Sequence, residues 1–245
     1  MNVSLLIIDC ISNLQVGSGK DNDGLIDNLI QRDPVTGIPC IFSSSLKGAL
    51  REHCSKLLPE GINEKIFGKK VDDQKALACK PGAYRFTDAM LLAMPDITNA
   101  HNYPYQLVSC HEILDELRKE AQLFGGENAI NEAIECGGGM TSIIDGDERI
   151  MLDVNNFLRY FADDEHLPVI ARNYLENGVS ANLWYEQVLP RRSRLAAFVL
   201  YEGEIEASFV NAISNTIVQI GANSTVGYGL CKITVYSNTG NNETI

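Results

Sequence analysis

With 245 residues, the chain can bury one large core or two small ones of about 100 residues each. Hydrophobic residues make up 45% and charged residues 21%, as in ordinary globular proteins, and no apolar run approaches the roughly 20 residues that span a membrane. The formal net charge of −12 excludes nucleic-acid binding over the whole surface, so any phosphate-binding surface must be local.

In chain order, the opening MNVSLLIIDCISNLQVG lacks a basic leader and meets Asp9, which predicts a strand over 3–16 and argues against a signal peptide. GSGKDNDGLIDN follows as a long polar loop. Leu46, Ala49, Leu50 and Leu57 give a helical period over 45–57, and AYRFTDAMLLAMP (83–95) reads as strand ended by proline. CHEILDELRKEAQLF (110–124) is an amphipathic helix. Residues 125–182, with a glycine triplet at 137–139 and an acidic stretch at 140–165, read as an insertion. NLWYEQVLPRRSRLAAFVLYEG then predicts two strands joined by a basic turn, GEIEASFVNAISNTIVQIG a helix, and GLCKITVY a final strand. The tail 237–245 reads as disordered. No letter repeat appears, but strand, helix, strand patterns recur in both halves and suit an α+β chain of two βαββαβ-type halves, about 1–124 and 183–236.

Seven cysteines, none in a CxxC pair, suggest neither a zinc framework nor a disulfide scaffold, so a reducing cytoplasm is the expected compartment. GSGK at 17–20 fails the P-loop pattern, because Leu14 and Asp21 stand where glycine and Ser/Thr are required. IGANSTVGYGL lies between a predicted helix and a strand, the reverse of a dinucleotide fingerprint. Its Gly221, Gly227 and Gly229 either let a backbone approach something closely or make a tight helix-to-strand turn. The four histidines show no HxxxH or Ser-His-Asp spacing.

Two stretches remain for phosphate chemistry. Ser43, Ser44 and Ser45 precede Lys47, Gly48 and Arg51 in SSSLKGALR; serines there either cap a helix or, with its open N–H groups and positive dipole end, hold an anion. Arg191, Arg192 and Arg194 cluster in LPRRSR, either as a solvated turn or as backbone-phosphate contacts. Asp21, Asp23 and Asp27 occupy the polar first loop.

GLIDNLIQRDPVTGIPCIFSSSLKGALR (24–51) resembles the RAMP (repeat-associated mysterious protein) signature of CRISPR backbone subunits, and within it the family of the fourth subunit of the type III-B Cmr complex. The likeness resumes at IFG (66–68), YRFTDAMLLAMP (84–95), YEQVLP (185–190) and VQIGANSTVGYGL (218–230), in the family's order. It implies a ferredoxin-like (RRM-like) core with a thumb-like hairpin near Arg191–Arg194. It also implies a subunit that lines a CRISPR RNA head to tail with its own copies and with other type III effector subunits. SSSLKGALR then resembles the element gripping the guide backbone, and Asp27 the aspartate needed to cut complementary target RNA. Such cutting needs the carboxylate either as a ligand for a divalent metal, Mg²⁺ or Mn²⁺, or as a proton acceptor. A purely structural RNA-binding subunit would use the same grip residues. Gln15 stands where relatives often carry histidine, and Phe42-Ser43 replaces Pro-Gly.

Overall fold

The computed structural model describes residues 1–19, 24–69, 80–96, 105–136, 149–162 and 166–237. Asp21, Asp23, the glycine triplet, residues 140–148 and 163–165 of the acidic stretch and the tail from residue 238 lie outside the described residues.

One strand organises the molecule. β1 (Asn2–Cys10) pairs antiparallel on one side with β11 (Leu230–Ser237) and on the other with β9 (Arg194–Tyr201). Both of its faces are buried. Leu6, Ile8 and Cys10 face a cluster with Leu46 and Leu50 of α1 (Ser43–Ser55) and Phe209 and Ile213 of α6 (Ala207–Ile213). Val3, Leu5 and Ile7 face a second cluster with Leu117 and Ala121 of α3 (His111–Phe124) and Ile130 of α4 (Glu127–Cys136). A strand covered on both faces gains nothing from alternating polarity, so its sequence is the near-continuous apolar run SLLII.

Beyond β9 the sheet continues through β4 (Ala89–Asp96), β5 (Gln106–Cys110) and β6 (Arg149–Leu152), giving the order β10-β11-β1-β9-β4-β5-β6, where β10 is Thr216–Gln219. Two short strands attach off this path: β2 (Cys40–Ile41) on β4 and β3 (Arg85–Phe86) on β9. The run β1, α1, β4, β9, α6, β11 with spatial order β11-β1-β9-β4 is a ferredoxin-like βαββαβ unit. Each half of the chain supplies one βαβ to it, so the expected pair of βαββαβ halves resolves into a single unit. α2 (Glu60–Phe67) packs beside α1, and α5 (Val154–Phe161) starts at Asp153, whose carboxylate accepts the Asn156 N–H at 3.1 Å.

Three boundaries differ from expectation. β1 ends at Cys10 rather than 16, because the chain bends at Ile11–Ser12 and re-pairs as a bridge from Leu14 to Leu189. The helix expected over 203–221 stops at Ile213; Asn215 takes a left-handed φ of 56°, and the β-branched Thr216, Ile217 and Val218 continue as β10. The two strands flanking the basic turn do not pair with each other. β8 (Val179–Gln187) pairs instead with β7 (Val169–Glu176) in a hairpin closed by Asn177-Gly178, whose φ values of 51° and 81° suit a two-residue type I′ turn. This hairpin is the thumb-like element, and it precedes Arg191–Arg194 rather than containing them.

Among the described residues no helix is long and apolar enough to cross a membrane. Leu50 of α1 is fully buried in the first cluster. Leu50→Ala should therefore lower unfolding free energy by about 2–5 kcal/mol, read as a reduced midpoint in chemical denaturation.

Candidate nucleic-acid interface

Three segments separated in sequence converge on one side of the sheet: the first loop at 13–19, the start of α1, and the glycine-rich loop 220–229. The convergence depends on missing side chains. Ala222 N–H donates to the Gln15 carbonyl at 2.8 Å and Gly229 N–H to the Asn13 carbonyl at 2.8 Å. A Cβ on Gly221 would overlap the Gln15 carbonyl oxygen, and one on Gly229 the Ile220 carbonyl oxygen. Both glycines also hold positive φ, 80° and 71°. Gly227, at φ 84°, meets nothing within 4 Å.

Between these segments runs a groove of about 610 Å³ lined by Gly17, Ser44, Ser45, Gly48, Gly221 and Ser224 among others. Gly48 is mid-helix, where glycine costs roughly 0.5–1 kcal/mol relative to alanine. Among the described residues nothing outside its own helix turn lies within 4 Å of the Cβ it lacks, so packing among them does not require it. Its absent side chain instead leaves the groove floor open to a close approach from outside.

The serine run does not cap its helix. Phe42 is the N-cap, no side-chain cap bond forms, and the Ser43 N–H donates to an Asp88 carboxylate oxygen at 2.6 Å. Ser43 does not line the groove, while Ser44 and Ser45 do. Lys47 and Arg51 stand on an adjoining face of α1, and neither lines the groove. Arg51 donates to the Phe67 carbonyl at 3.0 Å and to that of Gly68, closing the C-terminus of α2. Arg51 Nη2 thus holds both carbonyls, which leaves Nε and Nη1 as the guanidinium donors a phosphate could use.

The arginine turn divides in the same way. Arg194 is 5% exposed and ion-paired with Asp9 on the neighbouring strand β1, a structural pair rather than a phosphate contact. Arg191 and Arg192 are exposed; their backbone N–H groups donate to Asn13 Oδ1 at 3.0 Å and to the Cys10 carbonyl at 2.7 Å.

Asp27 is exposed at the base of the β7–β8 hairpin and held from both ends. Its N–H donates to the Tyr185 carbonyl at 3.0 Å, and its Oδ2 accepts the Tyr185 N–H at 2.7 Å, while Oδ1 accepts no hydrogen bond among the described residues. From Asp27 the segment to Arg32 runs back along the groove wall, with Gly17 bridged to Ile30 and the Gln31 N–H donating to the Val16 carbonyl at 2.9 Å. Among the described residues no three His, Cys, Asp or Glu side chains stand together as a metal cage. Asp27 offers one carboxylate, the number with which Mg²⁺ commonly makes do when substrate phosphates complete its shell.

Two residues that sequence inspection missed join these parts. Glu186, 5% exposed, accepts from Trp184 Nε1 at 2.8 Å and from Asn223 Nδ2 at 2.9 Å and lies 3.8 Å from Arg172, so it ties the hairpin base to the glycine-rich loop. The buried Gln31 joins the first loop to α1. Both lie within stretches carrying the family likeness, YEQVLP and NLIQRD, which was the available signal.

Elsewhere the surface repels phosphate. A second cleft of about 560 Å³ between β4, α3 and α5 is lined by Asp33, Asp88, Glu112, Glu116 and Glu120. Burial first, then the charges of Glu116 and Asp88, push the Glu120 carboxyl above its ordinary range. Burial pushes the Cys54 thiol on α1 up to about 12, which keeps it unreactive.

A model of the RAMP superfamily matches residues 7–232. The chain belongs to the RAMP superfamily. A curated relative, the CRISPR system Cmr endoribonuclease Cmr4 of Pyrococcus furiosus, is 26% identical over 287 aligned positions, covering 93% of this chain and 94% of that protein. Two solved structures share this RAMP fold. Type III-B Cmr-beta bound to cognate target RNA superposes with a TM-score of 0.74 at 20% identity, over 95% of this chain and 96% of that one. Oligomeric Cmr4 from Pyrococcus furiosus superposes with a TM-score of 0.71 at 18% identity, over 97% and 99%.

The two loop glycines with blocked Cβ positions should separate from the third. Gly229→Ala should abolish the loop's packing and sharply lower the thermal midpoint, whereas Gly227→Ala should cost only the roughly 1–2 kcal/mol of a left-handed backbone. Thermal denaturation of both variants checks this.

Proposed function

We propose that this RAMP chain is a backbone subunit of a type III-B CRISPR effector. It lines a CRISPR RNA with copies of itself head to tail, beside other effector subunits, and cleaves complementary target RNA as an endoribonuclease. The carrying observation is the groove where the first loop, Ser44–Gly48 and the glycine-rich loop meet, with a helical glycine that packing among the described residues does not require. Serine hydroxyls, open N–H groups of the first turn of α1 and its dipole suit a backbone phosphate, and they read no sequence. Lys47 flanks this contact, with no ion-pair partner among the described residues, and Arg191 and Arg192 are the two exposed cations of the turn. The Cmr4 relative is named an endoribonuclease, one solved relative holds target RNA and another is oligomeric, which supports assigning the same roles here.

The groove holds the guide, so target RNA paired to it falls toward the hairpin base, where Asp27 waits. Cleavage then proceeds by attack of a target 2′-OH on the adjacent phosphate, which breaks the bond from phosphorus to the next nucleotide's 5′ oxygen and leaves a 2′,3′-cyclic phosphate and a 5′-hydroxyl protonated from solvent. Asp27, fixed by Tyr185 through one oxygen, either accepts the 2′-OH proton or anchors a divalent ion, Mg²⁺ or Mn²⁺, whose charge would neutralise the phosphate. Base pairing selects the target, and this chain supplies position and chemistry.

Asp27→Asn retains the hydrogen bond from Tyr185 but loses the charge. Guide and target binding should survive while cleavage of complementary RNA falls roughly a hundredfold or more; cleavage at the parent rate would refute the assignment. Gly48→Ala separates binding from folding. It should raise stability by about 0.5–1 kcal/mol in denaturant titration while weakening guide RNA about tenfold, or about 1.4 kcal/mol, in fluorescence anisotropy.

A further inference from the structure

The Gln31 side chain lies 6% exposed between the first loop and α1, and its neighbours determine how its amide is turned. The Phe42 N–H can only donate, so the amide atom 2.7 Å from it is the acceptor Oε1. The Gly17 carbonyl can only accept, so the amide atom 3.2 Å from it is Nε2. No flipped assignment satisfies both. Nε2 therefore also donates to Ser45 Oγ, 2.8 Å away. A hydroxyl that receives an N–H has its own hydrogen free for a different acceptor. No acceptor among the described residues takes that hydrogen, and Ser45 lines the groove.

We propose that Gln31 is a positioning residue that sets Ser45 as a hydrogen-bond donor to an RNA phosphate in the groove. The inference rests on the guide-binding reading and adds to it which serine donates and what aims it. Without the amide, the Ser45 hydroxyl would have two hydrogen-bonding modes to choose between; with it, the donor is preorganised before RNA arrives. A phosphate needs donors and offers none, so this polarity favours an anion in the groove over a neutral acceptor-poor ligand. The same amide ties the loop carrying Asp27 to the start of α1, so guide contact and cleavage loop share one joint.

The test is a double-mutant cycle on guide-type RNA affinity, measured by fluorescence anisotropy with the full chain. Gln31→Glu still accepts from Phe42 but cannot donate, so Ser45 would turn its hydrogen toward the new carboxylate. Ser45→Ala removes the hydroxyl. Each single variant should weaken binding about tenfold, and the double variant should be no weaker than either single one. A double variant weakened by about a hundredfold would mean independent effects and overturn the proposal. Should Gln31→Glu fail to fold, Gln31→Met, which removes the donor without adding charge, replaces it in the cycle with the same expectation. Ser45→Ala without effect while Gly48→Ala weakens binding overturns the proposal and leaves the groove standing as the guide site; no effect from either overturns both.

Discussion

The site depends on two backbones meeting where a side chain would forbid it. Gly221 lies against the Gln15 carbonyl and Gly229 against that of Ile220, and each contact needs both a positive φ and a missing Cβ. Through them the last loop before β11 is stitched to the first loop after β1, with Ala222 N–H on Gln15 and Gly229 N–H on Asn13. Because β1 and β11 are already paired over seven positions, the two loops leave the sheet side by side. The start of α1 completes the third wall. Chain segments some 200 positions apart thus form one groove by virtue of strand order, not of any local motif.

Charge is distributed around this frame in a way that resolves the conflict between an acidic chain and an RNA partner. Acidic side chains gather in the cleft between β4, α3 and α5, where Glu112, Glu116 and Glu120 recur at one helical spacing. The groove is lined mainly by serines, glycines and side-chain amides, with His53 and one carboxylate, Glu52, which is paired to Lys56 at 3.2 Å. Recognition there leans on oriented dipoles more than on net positive charge, so the salt dependence of binding should be shallow for a nucleic-acid binder. The acidic cleft disfavours a polyanion at that face.

Much of this was legible in the sequence where the cause is local. The apolar run of β1, the amphipathic period of α3, the serine-to-glycine stretch of α1 and the Asn177-Gly178 turn all state their conformation within a few residues. The NG dipeptide sits in a stretch whose flanking strands place Val169, Tyr174, Leu175, Val179 and Leu183 in solvent, so no face alternates between apolar core and polar surface to mark them as strands. What sequence could not state is pairing at a distance. Arg194 resembles Arg191 and Arg192 in letters, yet its strand register places it beside Asp9 and buries it. Arg51 sits one turn from Lys47, but α2 ends against it and engages its Nη2. Likewise α6 and β10 read as one helix because a single left-handed Asn215, not a proline or glycine, divides them.

The central claim is that guide RNA lies in the groove between Ser44–Gly48 and the glycine-rich loop. Photo-crosslinking of the full chain to a guide RNA carrying 4-thiouridine, followed by mass spectrometry of crosslinked peptides, tests it directly. The account requires crosslinks within residues 43–53 and 220–228, with none to the α3 and α5 surface. Crosslinks concentrated on α3 or α5, with the serine helix unlabelled, would contradict it.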